Sequence, residues 1–160
     1  MKKIGEIELY HKCDITDPCY NKDVWCRHTV ENIKPGKYNC YVEETYSKDW
    51  GRQISGSWII HEDYDTACHP EYMSELDRDE DYEVGVDAGL FGYFDDKPDM
   101  TDDEWNRFCD NIKEHPVAQI SKFRGRDGFY TSSGYGDGGY PVLTYSANDK
   151  IVAIAAIFIR

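Results

Sequence analysis

The last third of the chain, residues 127–160, constrains the fold more than any other stretch. It runs DGFYTSSGYGDGGYPVLTYSANDKIVAIAAIFIR. Phe129–Ser132 and Tyr140–Tyr145 predict two strands around a glycine-rich loop, and SANDK predicts a turn before Ile151–Ile159. The alanines of this last segment also allow a helix, but the preceding turn and the β-branched residues favour a strand. Its continuous apolar run is typical of a strand covered on both faces, so we expect it at the centre of a sheet.

Alternating apolar and polar residues predict further strands earlier in the chain. They cover Ile4–Tyr10, the segment from Tyr38 to Glu43, the segment from Ile54 to Ile60, and Glu83–Phe94. Within the third of these, Ile54, Gly56, Trp58 and Ile60 are expected to share one face, with Trp50-Gly51 as the preceding hairpin connection. Val24–Ile33 is compatible with either a short strand or a helical turn.

One helix is predicted over Asp102–Lys113. Thr101 is placed to cap it and Glu104 completes a capping box, while Pro116 stops the helix soon afterwards. An apolar stripe of the kind that docks on a sheet follows helical spacing: Trp105, Phe108, Cys109 and Ile112. We therefore predict one domain over residues 1–160, mainly β (α+β), as a twisted antiparallel β-sandwich or half-barrel with one amphipathic helix packed on it.

The charge of the chain limits its partners. The formal net charge is −13 over 160 residues, which argues against direct binding of nucleic acid and favours a basic protein partner. Glu62–Glu83 is dense in carboxylates and is interpreted as an acidic exposed insertion. We predict that it contributes to a partner-binding surface through four residues: Asp77, Asp79, Glu80 and Asp81.

Other bulk features point to a cytoplasmic protein. The apolar run Ile151–Ile159 is half the length that a membrane-spanning helix needs, and no secretory signal is visible after Met1, so we expect the cytoplasm of a bacterium or of a phage-infected cell. The six cysteines are expected to be reduced and mostly buried, Cys40 and Cys109 on apolar faces.

Several short motifs suggest chemistry, and each has a simpler explanation. Gly134–Gly139 satisfies G-x-G-x-x-G, but a strand follows it, so a tight β–β connection with positive φ at Gly136 and Gly138 is favoured over a nucleotide site. Asp77, Asp79 and Asp81 imitate a calcium loop, although Tyr82 and Ala88 stand where its glycine and glutamate belong.

Two further sets of residue types are chemically suggestive. One set is compatible with zinc but lacks a C-x-x-C spacing: His11, Cys13, Cys26 and His28. The other contains conceivable nucleophiles outside any recognised catalytic context: Cys19, Cys68 beside His69, Ser132 and Ser133. For both sets ordinary packing is the favoured interpretation, and no cofactor is predicted.

Three clusters of residues carry a resemblance to known sequences. They are DPCY at Asp17–Tyr20, VDAG at Val86–Gly89 followed by the FDD of Phe94–Asp96, and SSGYGDGGYPV at Ser132–Val142. With them the chain resembles an uncharacterised family of small bacterial and phage-borne proteins for which no catalytic residues are established. The resemblance implies that four carboxylates lie near one another and are candidate ligands for a small molecule or metal: Asp17, Asp87, Asp95 and Asp137. The alternative is that these carboxylates cap turn amides.

Three classes of function follow from these features. The favoured one is a non-catalytic protein-binding module, of an inhibitor or immunity type, that uses an acidic surface against a basic partner. The alternatives are a small-ligand or metal-binding β domain and a hydrolase, both built on the Asp- and Gly-rich loops. The positions of the four candidate aspartates distinguish them, because convergence in a pocket favours the alternatives and dispersal over turns favours the first.

Overall fold

The computed structural model describes residues 1–21, 26–65 and 77–160, and it leaves out the side chains of residues 77–81. The described residues form eleven strands, one α-helix and one short 3₁₀ helix (Glu62–Tyr64). The elements are β1 (Lys2–Leu9), β2 (Cys13–Thr16), β3 (Arg27–Val30), β4 (Gly36–Ser47), β5 (Gly51–His61), β6 (Asp77–Val86), β7 (Leu90–Asp95), α1 (Asp102–Asp110), β8 (Ala118–Phe123), β9 (Arg126–Ser132), β10 (Gly138–Ala147) and β11 (Lys150–Ile157).

The strands form two antiparallel sheets that pack face to face. One sheet has the order β1-β4-β5-β11-β10-β6 and the other β3-β2-β7-β9-β8. β11 lies between β5 and β10 and is buried from Ile151 through Ala156, as its continuous apolar run predicts. The mainly β sandwich with one helix is thereby confirmed.

A β-bulge in β5 decides which apolar side chains face the inter-sheet core. Ile54 and Gly56 pair with successive residues of β4, which leaves Ser55 between them without a partner. Ile54 therefore packs in the core between the sheets, whereas Trp58 and Ile60 form a cluster on the outer face of the six-stranded sheet. The prediction that these residues share one face is wrong, because one extra residue reverses the alternation of a strand.

The N-terminus of α1 is capped as its sequence predicts. Glu104 N donates to Thr101 Oγ1 at 3.3 Å, and Thr101 N donates to Glu104 Oε1 at 3.0 Å. The helix ends at Asp110, before the predicted Lys113. These two hydrogen bonds give partners to two backbone N–H groups that have none within the helix, and they therefore fix where α1 begins.

α1 covers the outer face of the five-stranded sheet. Phe108 packs against a buried cluster that includes Tyr130, with the two ring centroids 4.7 Å apart, and Trp105 stacks on Phe108 at 5.6 Å. Cys109 is exposed, so its predicted place on the docked face is wrong. Successive helical residues are about 100° apart, and the face centred on Phe108 turns its neighbour towards solvent.

The same outer face is shaped by a ring that lies over glycine. A Cβ atom added to Gly128 would stand 2.2 Å from the ring of Phe94, and one added to Gly92 would stand 2.6 Å from it. Glycine in these two adjacent strands therefore provides the space for Phe94, on the face that α1 covers.

Strand boundaries in the acidic region differ from those predicted. β6 begins at Asp77 and is an edge strand of the six-stranded sheet, so β structure starts six residues before Glu83. Four acidic candidates thus belong to a strand: Asp77, Asp79, Glu80 and Asp81. Residues 66–76 of the predicted insertion lie outside the described part of the chain, and the insertion itself stays a prediction.

Among the described residues, no helix has the length and apolar character needed to cross a membrane.

Candidate functional site

The carboxylate of Asp17 is a structural cap. It is fully buried, and its Oδ2 accepts hydrogen bonds from the backbone N–H groups of Asp87 (3.0 Å) and Ala88 (2.7 Å). Its Oδ1 accepts from Cys19 N at 3.0 Å. Three backbone donors therefore hold this side chain, which joins the end of β2 to the turn between β6 and β7. This agrees with the capping alternative.

Asp95 has the same kind of role at the opposite end of β2. It is buried and pairs with Cys13, the first residue of β2, whereas Asp17 follows the last. Its Oδ1 accepts from Tyr10 N (3.2 Å) and His11 N (2.9 Å), and its Oδ2 lies 2.9 Å from His11 Nδ1. Asp95 thus lies apart from the other candidates and holds the turn between β1 and β2.

Asp87 and Asp137 lie next to each other at one end of the sandwich. Gly138 pairs with Val86, which places the two exposed aspartates side by side just beyond the pairing of β10 and β6. A hydrogen bond to the Asp87 carboxylate raises the pKa of Tyr20 to about 12. Three of the four candidate aspartates therefore converge, and two of them face solvent.

The Cys26 thiol lies near three of these carboxylates. Burial raises the pKa of its thiol to about 11, and the negative charges of Asp17, Asp87 and Asp137 add to the shift. A thiol in such surroundings is predominantly protonated at neutral pH and is a poor nucleophile.

A groove of about 380 Å³ opens beside these aspartates. Four segments that are distant in sequence line it: the β4–β5 hairpin tip at Trp50, the β6–β7 turn at Ala88 and Gly89, the connection between α1 and β8 at His115, and the glycine-rich loop between β9 and β10. Ser133 N donates to Gly89 O at 3.2 Å and ties two of these segments together. Asp87 directly precedes Ala88 and Asp137 directly follows Gly136, and since Ala88 and Gly136 line the groove, both aspartates lie beside it.

Two exposed aromatic side chains stand at the mouth of this groove. Trp50 is 65% exposed and Tyr135 is 56% exposed, and their ring centroids are 5.7 Å apart. The sequence predicts Trp50 only as part of a hairpin connection. Its signal was a large aromatic residue placed in a turn, where no core is available to bury it.

The glycine-rich loop holds Tyr135 on a braced backbone. Gly136 N donates to Ser133 O at 2.9 Å, and Ser133 Oγ donates to Gly136 O at 2.9 Å. Gly136 has φ +116° and Gly138 has φ +158°, which confirms the positive φ predicted at both positions. The loop is thus a tight β–β connection with internal hydrogen bonds, which keeps Tyr135 in place.

The serines proposed as nucleophiles also serve the backbone. Ser132 Oγ accepts from Val117 N at 2.8 Å, and Ser133 is fully buried with its hydroxyl bonded to the loop. Burial raises the pKa of the half-buried Cys19 thiol well above its usual value. Cys68 and His69 lie outside the described residues.

The zinc-compatible set does not come together. Cys13 lies in the core between the sheets, while the ring of His11 contacts Asp95 and that of His28 stacks on Tyr82 with centroids 3.8 Å apart. Among the described side chains, those of residues 1–21, 26–65 and 82–160, no group of three or more His, Cys, Asp or Glu could hold a metal ion. The five described cysteines form no disulfide, and Cys13, Cys26 and Cys40 are buried as expected.

A buried polar cluster on β2 and β3 was not predicted. Asp14 is fully buried and accepts from Arg27 Nη2 (2.6 Å), Thr29 Oγ1 (2.6 Å) and Lys97 N (2.7 Å). Lys97 is itself buried, and burial together with the nearby Arg27 charge lowers its pKa. In the sequence, the cluster is signalled only by an aspartate between the apolar residues of a short strand. In the structure, the cluster joins β3 to the segment after β7.

No protein-family model matches this chain, and neither the curated proteins nor the solved structures show a significant match to it. The resemblance carried by residues 17–20, 86–96 and 132–142 therefore stays a prediction.

Proposed function

We propose that this protein is a non-catalytic binding module that takes a basic polypeptide segment into the groove at Trp50 and Tyr135. The main support is the pair of exposed aromatic rings, 5.7 Å apart, at the mouth of a groove next to two exposed carboxylates. Such a module would act on its partner by occupying a basic surface, as an inhibitor or immunity-type protein does.

The aromatic pair supplies the contact area of the proposed site. Trp and Tyr are enriched among the residues that dominate binding energy at protein interfaces. They also attract the cationic heads of Lys and Arg to their faces when these approach within about 6 Å of the ring centre. The exposed rings of Trp50 and Tyr135 therefore suit a ligand that combines apolar stems with positive charge.

The carboxylates supply the selectivity for a basic ligand. Asp87 and Asp137 are both exposed beside the groove, and Asp49 is exposed next to Trp50. The acidic residues 77–81 of β6 lie further away, roughly 17–30 Å along the strand from Val86 beside the groove, so they act on the approach of a partner and not inside the groove. With a net charge of −13, the chain attracts a basic segment over about 8–10 Å at physiological salt.

A small-ligand-binding β domain is the second candidate, and the size of the groove favours it. The volume of about 380 Å³ falls within the range of small-molecule sites, roughly 300–1,000 Å³. The same aromatic and acidic groups would then hold a small organic cation.

Fluorescence anisotropy with a labelled peptide of Arg-Gly-Ser repeats tests the proposed site. We expect Trp50→Ala and Tyr135→Ala each to weaken binding about tenfold or more, because each removes a central aromatic contact. Tyr46→Ala is the matched control, since Tyr46 is 76% exposed on β4 and does not line the groove.

The outcomes separate the two candidates. Loss of affinity in both groove variants, with Tyr46→Ala unchanged, supports the polypeptide site. Binding of free arginine methyl ester as tightly as the peptide supports the small-ligand function instead. Equal binding of a Glu-Gly-Ser peptide, or equal effects of all three variants, contradicts both.

The acidic strand is expected to act on the rate of association. Replacing four carboxylates by amides, at Asp77, Asp79, Glu80 and Asp81, should slow association with the Arg-Gly-Ser peptide several-fold and flatten its salt dependence. Stopped-flow measurements across a salt series check this. Unchanged kinetics would mean that these charges serve only solubility.

A further inference from the structure

The groove at Trp50 and Tyr135 has an apolar base. Leu90 and Val117 are buried in the cluster that packs against α1, and both line the groove. Ile112, just after α1, packs against the same cluster and lines the groove as well. The two aromatic rings at the mouth are exposed. A ligand that enters this groove therefore meets hydrocarbon and aromatic surface, which favours the burial of an apolar stem.

The lining of the groove is poor in groups that could hydrogen-bond to an ammonium. Within the described part of the chain, no aspartate, glutamate, lysine or arginine lines it. Gln53 Nε2 donates to Trp50 O at 2.8 Å, so this amide is bonded to the protein itself. Ser132 Oγ likewise accepts from Val117 N at 2.8 Å. An ammonium with three N–H donors would lose water here and find no carboxylate in exchange, which costs free energy.

The charge around the groove nevertheless attracts cations. Asp87 and Asp137 are exposed, and each is one residue away from a residue of the lining. The Asp87 carboxylate accepts a hydrogen bond from the hydroxyl of Tyr20, so it is partly engaged by the protein. Exposed charges act over about 8–10 Å at physiological salt without direct contact. The groove is therefore suited to a positive charge that needs no hydrogen bonds.

The aromatic pair provides a contact for such a charge. The ring centroids of Trp50 and Tyr135 are 5.7 Å apart and the ring planes are inclined by 55°. One cation can therefore lie within about 6 Å of both ring centres, the range in which ring faces attract positive charge. Aromatic side chains recognise quaternary ammonium groups in this way. Trimethylation of lysine gives such a group, since it keeps the charge and removes the three N–H donors.

We propose that the groove recognises trimethylated lysine in its polypeptide ligand. The trimethylammonium group contacts the rings of Trp50 and Tyr135, and the four-carbon stem of the lysine lies over the base at Leu90 and Val117. This inference rests on the proposed function, because it names the side chain by which the basic segment is held.

Three peptides test the preference for the methylated side chain. Each is a Gly-Ser sequence around one central residue, which is lysine, trimethyl-lysine or the neutral analogue with carbon in place of the charged nitrogen. Affinities come from ¹H–¹⁵N titrations followed at the backbone amides of Tyr135 and Gly136. We expect the trimethyl-lysine peptide to bind about tenfold more tightly than either of the others, because lysine loses hydration and the analogue has no charge.

Variants of the groove assign this preference to the aromatic pair. Trp50→Ala and Tyr135→Ala should each bring the affinities for the lysine and trimethyl-lysine peptides to within about twofold of each other. Tyr46→Ala is the matched control and should keep the full preference, since Tyr46 is 76% exposed on β4 and does not line the groove. Melting temperatures followed by circular dichroism should match the wild type in all three variants.

The outcomes separate this inference from the proposed function. Equal affinity for the lysine and trimethyl-lysine peptides, with Trp50→Ala still weakening the Arg-Gly-Ser peptide, would overturn the inference and leave the proposed function standing. Equal binding of the neutral analogue would show that apolar contact alone holds the ligand. Choline bound as tightly as the trimethyl-lysine peptide would overturn the polypeptide source. Absence of binding by every peptide, Arg-Gly-Ser included, would overturn both proposals.

Discussion

Asp17→Asn tests whether this buried carboxylate is a structural cap rather than a ligand to a bound molecule. Asparagine has nearly the same shape, so the substitution leaves packing intact and changes only charge and hydrogen bonding. The carboxylate accepts three backbone N–H groups, from Cys19, Asp87 and Ala88, at 2.7–3.0 Å. An asparagine can turn its oxygen towards only one side of this set, and its NH₂ group then meets a backbone donor on the other side.

The expected loss follows from these contacts. A hydrogen bond to a charged group contributes about 1.5–3 kcal/mol and a neutral one about 0.5–1.5 kcal/mol. Two bonds to the turn at Asp87 and Ala88 become neutral, and the bond from Cys19 is lost or replaced by a repulsive contact. We expect Asp17→Asn to lower the free energy of unfolding by about 3 kcal/mol, which is a large share of the stability of a typical domain, about 5–15 kcal/mol.

Urea denaturation followed by far-UV circular dichroism measures this loss at neutral pH. Asp137→Asn is the matched control, because Asp137 is exposed and a surface substitution usually changes stability by less than about 0.5 kcal/mol. A loss at Asp17 no larger than that of the control would refute the capping role.

Three other perturbations test separate parts of the fold. Phe108→Ala should lower the free energy of unfolding by about 2–3 kcal/mol and Trp105→Ala by about 1–2 kcal/mol, measured in denaturant melts. Both losses are below the 3–5 kcal/mol typical of fully buried aromatic residues because both side chains are half-buried. Phe108 should lose more because it contacts the sheet at Tyr130, so equal losses would contradict this packing. Gly136→Ala should lower the free energy of unfolding by about 1–3 kcal/mol from backbone strain alone, because φ is +116° and no atom would lie within 4 Å of the added Cβ. A denaturant melt in which the variant is as stable as the wild type would contradict this. The folded-state pKa of Glu104 is depressed from 4.5 to about 2, so the stability that its charge contributes is present above pH 4.5 and is lost as the pH falls towards 2. The difference in stability between wild type and Glu104→Gln should therefore vanish over that interval. A difference independent of pH would show that the ion pair of Glu104 with Arg124 is unimportant.

Features that depend on local sequence could be predicted. The central position of β11 follows from the apolar run Ile151–Ile159, the glycine loop from residues that tolerate positive φ, and the start of α1 from the Thr101–Glu104 capping box. In each case a few neighbouring residues decide the conformation.

Features that depend on contacts between distant segments could not be predicted. The bulge at Ser55 reverses the face of Ile54, and its carbonyl accepts from Phe158 N and Ile159 N at 2.9 and 3.0 Å, over a hundred residues away in the chain. The groove similarly requires Trp50 and Tyr135 to meet across the sandwich. Strand order sets these contacts, and no local pattern encodes it.

The candidate aspartates illustrate both cases. Their identity as turn residues was visible in the sequence, and Asp17 and Asp95 indeed bind turn amides. The separation of Asp95 from the other three depends on which end of β2 each one joins. That information lies in the pairing of β2 with β7, which are more than seventy residues apart.

Chemical-shift mapping with the Arg-Gly-Ser peptide tests the central claim most directly. We predict that saturating peptide shifts the indole N–H of Trp50 and the backbone amides of Ala88, Gly89, Tyr135 and Gly136, with little change at the β10–β11 turn around Asp149, at the other end of β10. Shifts of similar size at that turn and at the groove, or shifts confined to surfaces away from Trp50, would contradict a binding site at the groove.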